Sequence, residues 1–452
     1  MGLSNIEKKS FGFNIIRSIV RFWHNIFFYK SFIVLGKDNI PSDKPLIFTP
    51  NHQNALMDAL ALAYSVKRTL IFVARSDIFK KPVIARILYY IKILPIYRIR
   101  DGFDTVKKNQ NIIRKTIDII NAGNGMAILP EGNHSGIRRL RPLKKGFARM
   151  AFQTEEANDF NLDINIVPVG IYYDNYQKYR SSLIVNFGSP VSVGDFVEEY
   201  KTNPAIAINK IKDKLAEHMK PLIINIESDD NYELYNELRL IYFSQMAQIL
   251  ELDPKDEHNR IFIEQRIIEL LTNYEKNNLK AVAEFQTTVL KYANLRDKLC
   301  LSNEIIERNG RSLFTLTTSF IVLSITLPVF IYGGLNNFMA YWLPLRLSKL
   351  MKDPQFQSSF KFAISLFSFP IFYLIQSLLI LLIFNDWQIV LLYLISLPIS
   401  AALAWVWRDK FLLIKEAWKY EILKLNNDTY FLKMRVYYGE IIALAENILK
   451  NK

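Results

Sequence analysis

The segment PNHQNALMDAL (50–60) sets His52 and Asp58 in an H-x5-D spacing directly behind the apolar run LIFT (46–49). An imidazole takes up a proton near neutral pH, and a carboxylate on its second ring nitrogen fixes its tautomer and stabilises the imidazolium. The two residues are therefore a candidate general base and its orienting partner. Six positions along a regular helix turn through about 600°, which leaves the two side chains roughly 120° apart. His52 must then lie in the loop before the helix, or the first turn must be irregular. The plainer alternative has Asn51 or Asn54 capping the helix and Asp58 facing solvent, and this spacing alone does not separate the two. A second polar cluster, LPEGNHSG (129–136), ends the apolar run MAIL (126–129) and offers Glu131 with a glycine and a serine. Ligands of open α/β sheets bind outside the carboxyl ends of strands, where both clusters fall.

Both clusters sit in an alternation of short apolar runs and amphipathic segments. Strands are expected at 32–35, 46–49, 69–74, 93–97, 126–129, 165–171 and 183–187, and helices near 55–65, 82–91, 103–121, 144–157 and 203–218. The pattern predicts an α/β domain over 30–222, a sheet with helices on both faces. Four segments recur through it in order: TPNHQNALMD (49–58), ILPIYRIRDG (93–102), AILPEGNHSG (127–136) and IVPVGIYY (166–173). This ordered set resembles the glycerophospholipid acyltransferase family over roughly residues 30–190. That family carries an H-x4-D or H-x5-D motif, an arginine after a second strand, a PEG-T-R-S motif and a VPV strand.

The resemblance implies that His52 is the general base and Asp58 its partner, and that Arg98 grips the acceptor phosphate. It places Glu131, Gly132 and, where the register holds, Ser135 in the acceptor site, and Pro168 at the acyl pocket. Asn133-His134 stand where the family has Thr-Arg, so the expected phosphate-binding arginine is missing. Arg138 and Arg139 follow closely and are candidates to replace it, as are Arg141, Lys144 and Lys145; a solvated basic face is the equal alternative. The implied reaction moves an acyl group from acyl-CoA or acyl-carrier protein to a hydroxyl of glycerol-3-phosphate or its 1-acyl derivative. The H-x5-D spacing favours the glycerol-3-phosphate branch. No metal or other cofactor is required beyond that thioester co-substrate. A non-catalytic membrane scaffold with a decayed site is the competing reading. A metallohydrolase lacks close ligand spacing.

Composition points to lipid. The 452 residues carry a net charge of +14 and are 50% hydrophobic with 22% charged, which suggests a globular part plus membrane segments and an anionic partner. No nucleic-acid motif accompanies the charge. The single cysteine, Cys300, excludes an internal disulfide. Residues 1–29 lack the pattern of a cleavable signal and read as an amphipathic helix, either at the membrane interface or packed on a core. Residues 223–310 read as a helical arm. Residues 311–410 form a membrane region: 361–384 and 387–407 are each long enough to span, while 312–333, interrupted by Pro328 and Gly333-Gly334, is expected to be re-entrant or interfacial, with three crossings as the alternative. The basic residues flanking the spanning pair place the α/β domain and the helical tail, 411–452, on the cytoplasmic side.

Overall fold

The computed structural model describes residues 5–8, 10–97, 105–133 and 136–450, with side chains of 105–109 and 449–450 left aside. The chain forms two compact units. One comprises residues 1–225 with 351–362, the other 226–350 with 363–452.

The first unit is built on a mixed sheet. Its strands are β1 (Ser31–Leu35), β2 (Leu46–Pro50), β3 (Leu70–Arg75), β4 (Ile93–Ile96), β5 (Gly125–Ala127), β6 (Asn165–Tyr173), β7 (Ser182–Phe187) and β8 (Val191–Ser192). They run in the order β1-β7-β6-β2-β5-β3-β4, with β8 beside β6. Neighbours along that order are parallel except β6 and β7. Every residue of β2, β5 and β6 is buried, so both sheet faces are covered there. That explains why these strands read as unbroken apolar runs without alternation. The helices are α1 (Phe11–Phe22), α2 (Leu56–Ser65), α3 (Pro82–Tyr90), α4 (Thr105–Asn121), α5 (Gly146–Glu156), α6 (Val197–Thr202) and α7 (Pro204–Met219). Ile47, Ile71, Met126 and Ile166 of the sheet meet Ile112, Phe147, Phe152 and Ile211 of these helices in one core.

Helix α1 buries none of its residues, and Phe11, Ile15, Ile19 and Phe22 are exposed. Arg17 ties it to the end of α2 by donating to the carbonyls of Ala63 and Val66, at 3.2 Å each.

The second unit is helical. It contains α8 (Tyr232–Ile241), α9 (Phe243–Ile249), α10 (Arg260–Glu275), α11 (Leu279–Lys298), α12 (Asn303–Glu307), α13 (Leu313–Ser348), most of α14 (Pro354–Phe384), α15 (Trp387–Leu425) and α16 (Thr429–Lys450). The charged segment 230–308 folds as amphipathic helices whose apolar spacing buries Leu234, Leu238, Ile241 and Met246. Helix α16 packs along α11, with Tyr292 and Tyr438 in ring contact. By length and composition α13, α14 and α15 are each able to cross a membrane. Helix α13 continues through Pro328 and Gly333-Gly334 as one element of 36 residues. In apolar surroundings a helix satisfies its own backbone, which outweighs the hydrogen bond lost at a proline.

Candidate active site

The carboxyl ends of β2 and β6 lie side by side, and the loop leaving β2 is fastened to β6. Asn51 donates from its backbone to Val169 at 3.2 Å, accepts from the Ile171 N–H at 2.6 Å and donates to the Ile171 carbonyl at 3.2 Å. Its side chain thus continues the sheet for one more residue.

His52 follows in the loop, as the helical geometry requires, and α2 begins only at Leu56. Ala55 makes the turn between them with φ 45° and ψ −121°, a conformation that costs a residue with a Cβ about 1–3 kcal/mol. Asp58 lies in the first helical turn and is fully buried. Its Oδ2 accepts from His52 Nδ1 at 2.9 Å and from the backbone N–H groups of Gln53 at 2.8 Å and Asn54 at 2.7 Å. Its Oδ1 accepts from the Tyr173 hydroxyl at 2.8 Å. One carboxylate therefore shapes the loop as a capping box would and orients the imidazole. Because a carboxylate only accepts, the hydrogen of the His52–Asp58 bond sits on Nδ1, and Nε2 is the basic nitrogen. Neither Asn51 nor Asn54 caps α2 with its side chain.

Tyr173 closes β6 and was not singled out among the chemistry-bearing residues. Burial, reinforced by the Asp58 charge, pushes its hydroxyl well above the usual range, so it stays a donor. The available signal was positional: a polar residue ending the strand parallel to β2 must come up beside the loop that β2 feeds. Tyr176, just beyond, donates to Gln53 Oε1 at 2.7 Å and secures the same loop.

Glu131 arrives from the end of β5. It is 2% exposed, and its Oε1 accepts from the His52 N–H at 2.9 Å. Gly132 beside it has φ +71°, which a side chain rarely adopts. Burial raises the Glu131 carboxyl from 4.5 to about 7, against the smaller opposing effect of its bond to His52. A carboxyl raised on folding holds its proton in the native state after the unfolded chain has released it. Stability is then present below about pH 4.5 and is lost as pH rises to about 7, by about 3 kcal/mol. Glu131→Gln keeps an acceptor for the His52 N–H but cannot ionise. Melting temperatures at pH 5 and pH 8 are expected to differ less in this variant than in wild type, and equal differences would contradict the burial argument.

Arg138 is buried. Its guanidinium donates to the carbonyls of Tyr173 at 2.9 Å and Asp174 at 3.3 Å and lies over the rings of Tyr172 and Tyr176. It braces the strand end that carries Tyr173. Arg139 and Arg141 are partly exposed, and Lys144 and Lys145 are exposed. Pro168 lies within β6, paired with Thr49 of β2. Arg98, His134 and Ser135 lie outside the described residues. The structure thus brings together His52, Asp58 and Glu131 and adds Tyr173.

Residues 31–172 match the Acyltransferase family model. Over these residues the chain is similar to glycerophospholipid acyltransferases. The glycerol-3-phosphate O-acyltransferase 2 of Saccharomyces cerevisiae is 22% identical to this chain, covering 61% of it and 38% of the relative. Glycerol-3-phosphate O-acyltransferase 1 of the same yeast is 28% identical over 30% of this chain and 18% of its own length. The 1-acyl-sn-glycerol-3-phosphate acyltransferase of Borreliella burgdorferi is 24% identical over 42% of this chain and 68% of its own. The chain thus spans less than two-fifths of the length of either yeast relative. His52 and Asp58 stand six positions apart in one sequence segment, whereas the Tyr173–Asp58 and Glu131–His52 bonds are seen only in the fold.

Proposed function

We propose that the protein is a membrane-bound O-acyltransferase that moves a fatty acyl group from a thioester to a hydroxyl of glycerol-3-phosphate or 1-acylglycerol-3-phosphate. The observation that carries this reading is the buried Asp58 carboxylate holding His52 Nδ1 at 2.9 Å, with no side-chain nucleophile needed between them. His52 Nε2 takes the acceptor hydroxyl proton as the oxygen attacks the thioester carbonyl. The C–O bond forms, the tetrahedral oxyanion collapses, and the C–S bond breaks. The imidazolium then returns its proton to the departing thiolate, so the enzyme ends as it began. Asp58 stabilises the imidazolium between those two steps. Backbone N–H groups of the surrounding loops are the natural donors to the oxyanion. Glu131 holds the His52 backbone and offers a phosphate no positive charge. The phosphate therefore falls to cations, Arg98 first and then Arg139 and Arg141. The relatives support both acceptors, since the two yeast proteins are named for glycerol-3-phosphate and the Borreliella protein for its 1-acyl derivative.

The test is acyl transfer by the purified protein in detergent, offering both acceptors with acyl-CoA and with acyl-carrier protein. Turnover of neither acceptor with either donor would reject the reading. In the same assay Arg98→Ala is expected to raise the acceptor KM about tenfold or more, the loss of one charge-assisted phosphate contact, and the donor KM far less. A shift confined to the donor would move Arg98 to the thioester site.

A further inference from the structure

Within the helical unit, α13, α14 and α15 line a half-open cavity of about 220 Å³. Small residues make the space: Gly333 and Gly334 on α13 and Ala401 and Ala404 on α15 line it, among aromatic rings from all three helices. The two glycines differ. A Cβ at Gly333 would run into the Ser400 carbonyl, so that glycine serves close helix contact, whereas a Cβ at Gly334 meets nothing within 4 Å.

Arg408 also lines the cavity. Its guanidinium donates to the Tyr341 hydroxyl at 3.0 Å and to Asp409 at 3.1 Å, while its Nε is buried with no acceptor among the described residues. A buried donor is costly to leave unmade. Its place along α15 is informative. Arg408 follows directly on the apolar stretch 387–407, and that length of helix spans about 30 Å, the thickness of a bilayer's hydrocarbon core. The guanidinium thus stands at the depth of lipid headgroups, over a cavity of apolar and aromatic lining. A guanidinium fork matches phosphate oxygens.

We propose that this cavity binds a lipid with a phosphate headgroup, part of an acyl chain occupying the apolar space and a phosphate oxygen accepting from Arg408. The proposal rests on residues of the helical unit alone and stands apart from the catalytic reading.

The experiment uses the full-length protein in detergent and phosphatidate carrying a diazirine on one acyl chain, with photoadducts mapped by peptide mass spectrometry. Adducts are expected on 330–341 and 401–408. Unlabelled phosphatidate should compete at least about tenfold better than diacylglycerol with the same chains, the worth of one charge-assisted hydrogen bond, and inorganic phosphate should not compete. Gly334→Leu, which fills the cavity with a better helix former, should abolish the adducts. Arg408→Gln should bring phosphatidate to the diacylglycerol level. If that variant fails to fold, Gly334→Leu and the wild-type competition decide. Equal competition by diacylglycerol would mark ordinary boundary lipid, competition by inorganic phosphate would mark a site for a free anion, and adducts elsewhere or unchanged in Gly334→Leu would place the lipid outside the cavity. Each of these overturns the proposal.

Discussion

Acyl transfer by a His52→Ala protein is expected to fall by roughly three orders of magnitude, the usual scale of a lost general base. Folding should be nearly untouched. The backbone N–H that holds Glu131 remains in the variant, and Asp58 keeps the Gln53, Asn54 and Tyr173 donors. The 2.9 Å bond from Nδ1 goes, from a side chain that already reaches solvent. kcat and kcat/KM should drop together, because the proton leaves the acceptor only in the transition state. Turnover near wild type, in protein whose melting is unchanged, would remove His52 from the mechanism.

The second large effect belongs to Asp58→Asn. Alanine would be a poor probe, since it strands two buried backbone N–H groups and the Tyr173 hydroxyl, each at about 1–3 kcal/mol. Asparagine can keep them satisfied. Its carbonyl oxygen takes the place of Oδ2, and its amide faces Tyr173, whose hydroxyl turns to accept instead. What it cannot supply is negative charge beside the imidazolium. A fall of about 10³–10⁴-fold in turnover is expected, with melting within a few degrees of wild type. Rates close to wild type in a folded Asp58→Asn protein would show that charge at this position does not assist the base. Unfolding, in contrast, would give Asp58 a structural part larger than the catalytic one.

Much of the α/β unit was legible because its strands are local. Each expected run, from FIVL at 32–35 to LIVNF at 183–187, becomes a strand, since a short unbroken apolar stretch bounded by turn residues is a local signal. His52 and Asp58 were legible for the same reason, six positions apart in one motif. Their supports were not. Tyr173 lies 115 residues from Asp58, and Asn51 reaches Ile171 across 120, distances at which spacing carries no information. Basic character misdirected attention as well: Arg138 belongs to an arginine-rich run, yet its guanidinium is buried on strand carbonyls. In α13 the breaking residues were weighed as they act in water, where a proline ends a helix; a 36-residue helix passes through them.

The α/β unit is discontinuous, because residues 351–362 belong to it. Ser359 there accepts from the N–H of Leu56, the first residue of α2, at 3.2 Å, and Lys361 donates to the Gln177 carbonyl at 2.7 Å. Synthesis runs from the amino terminus, so the start of α2 waits for its partner while residues 226–350 are made. At ~5–20 residues per second that interval lasts roughly 6–25 s. All of α13 is made within it. The last stitch in the His52 loop's supporting helix is therefore put in only after an entire apolar helix has needed a place to go, and the order of birth couples maturation of the α/β unit to the fate of that helix.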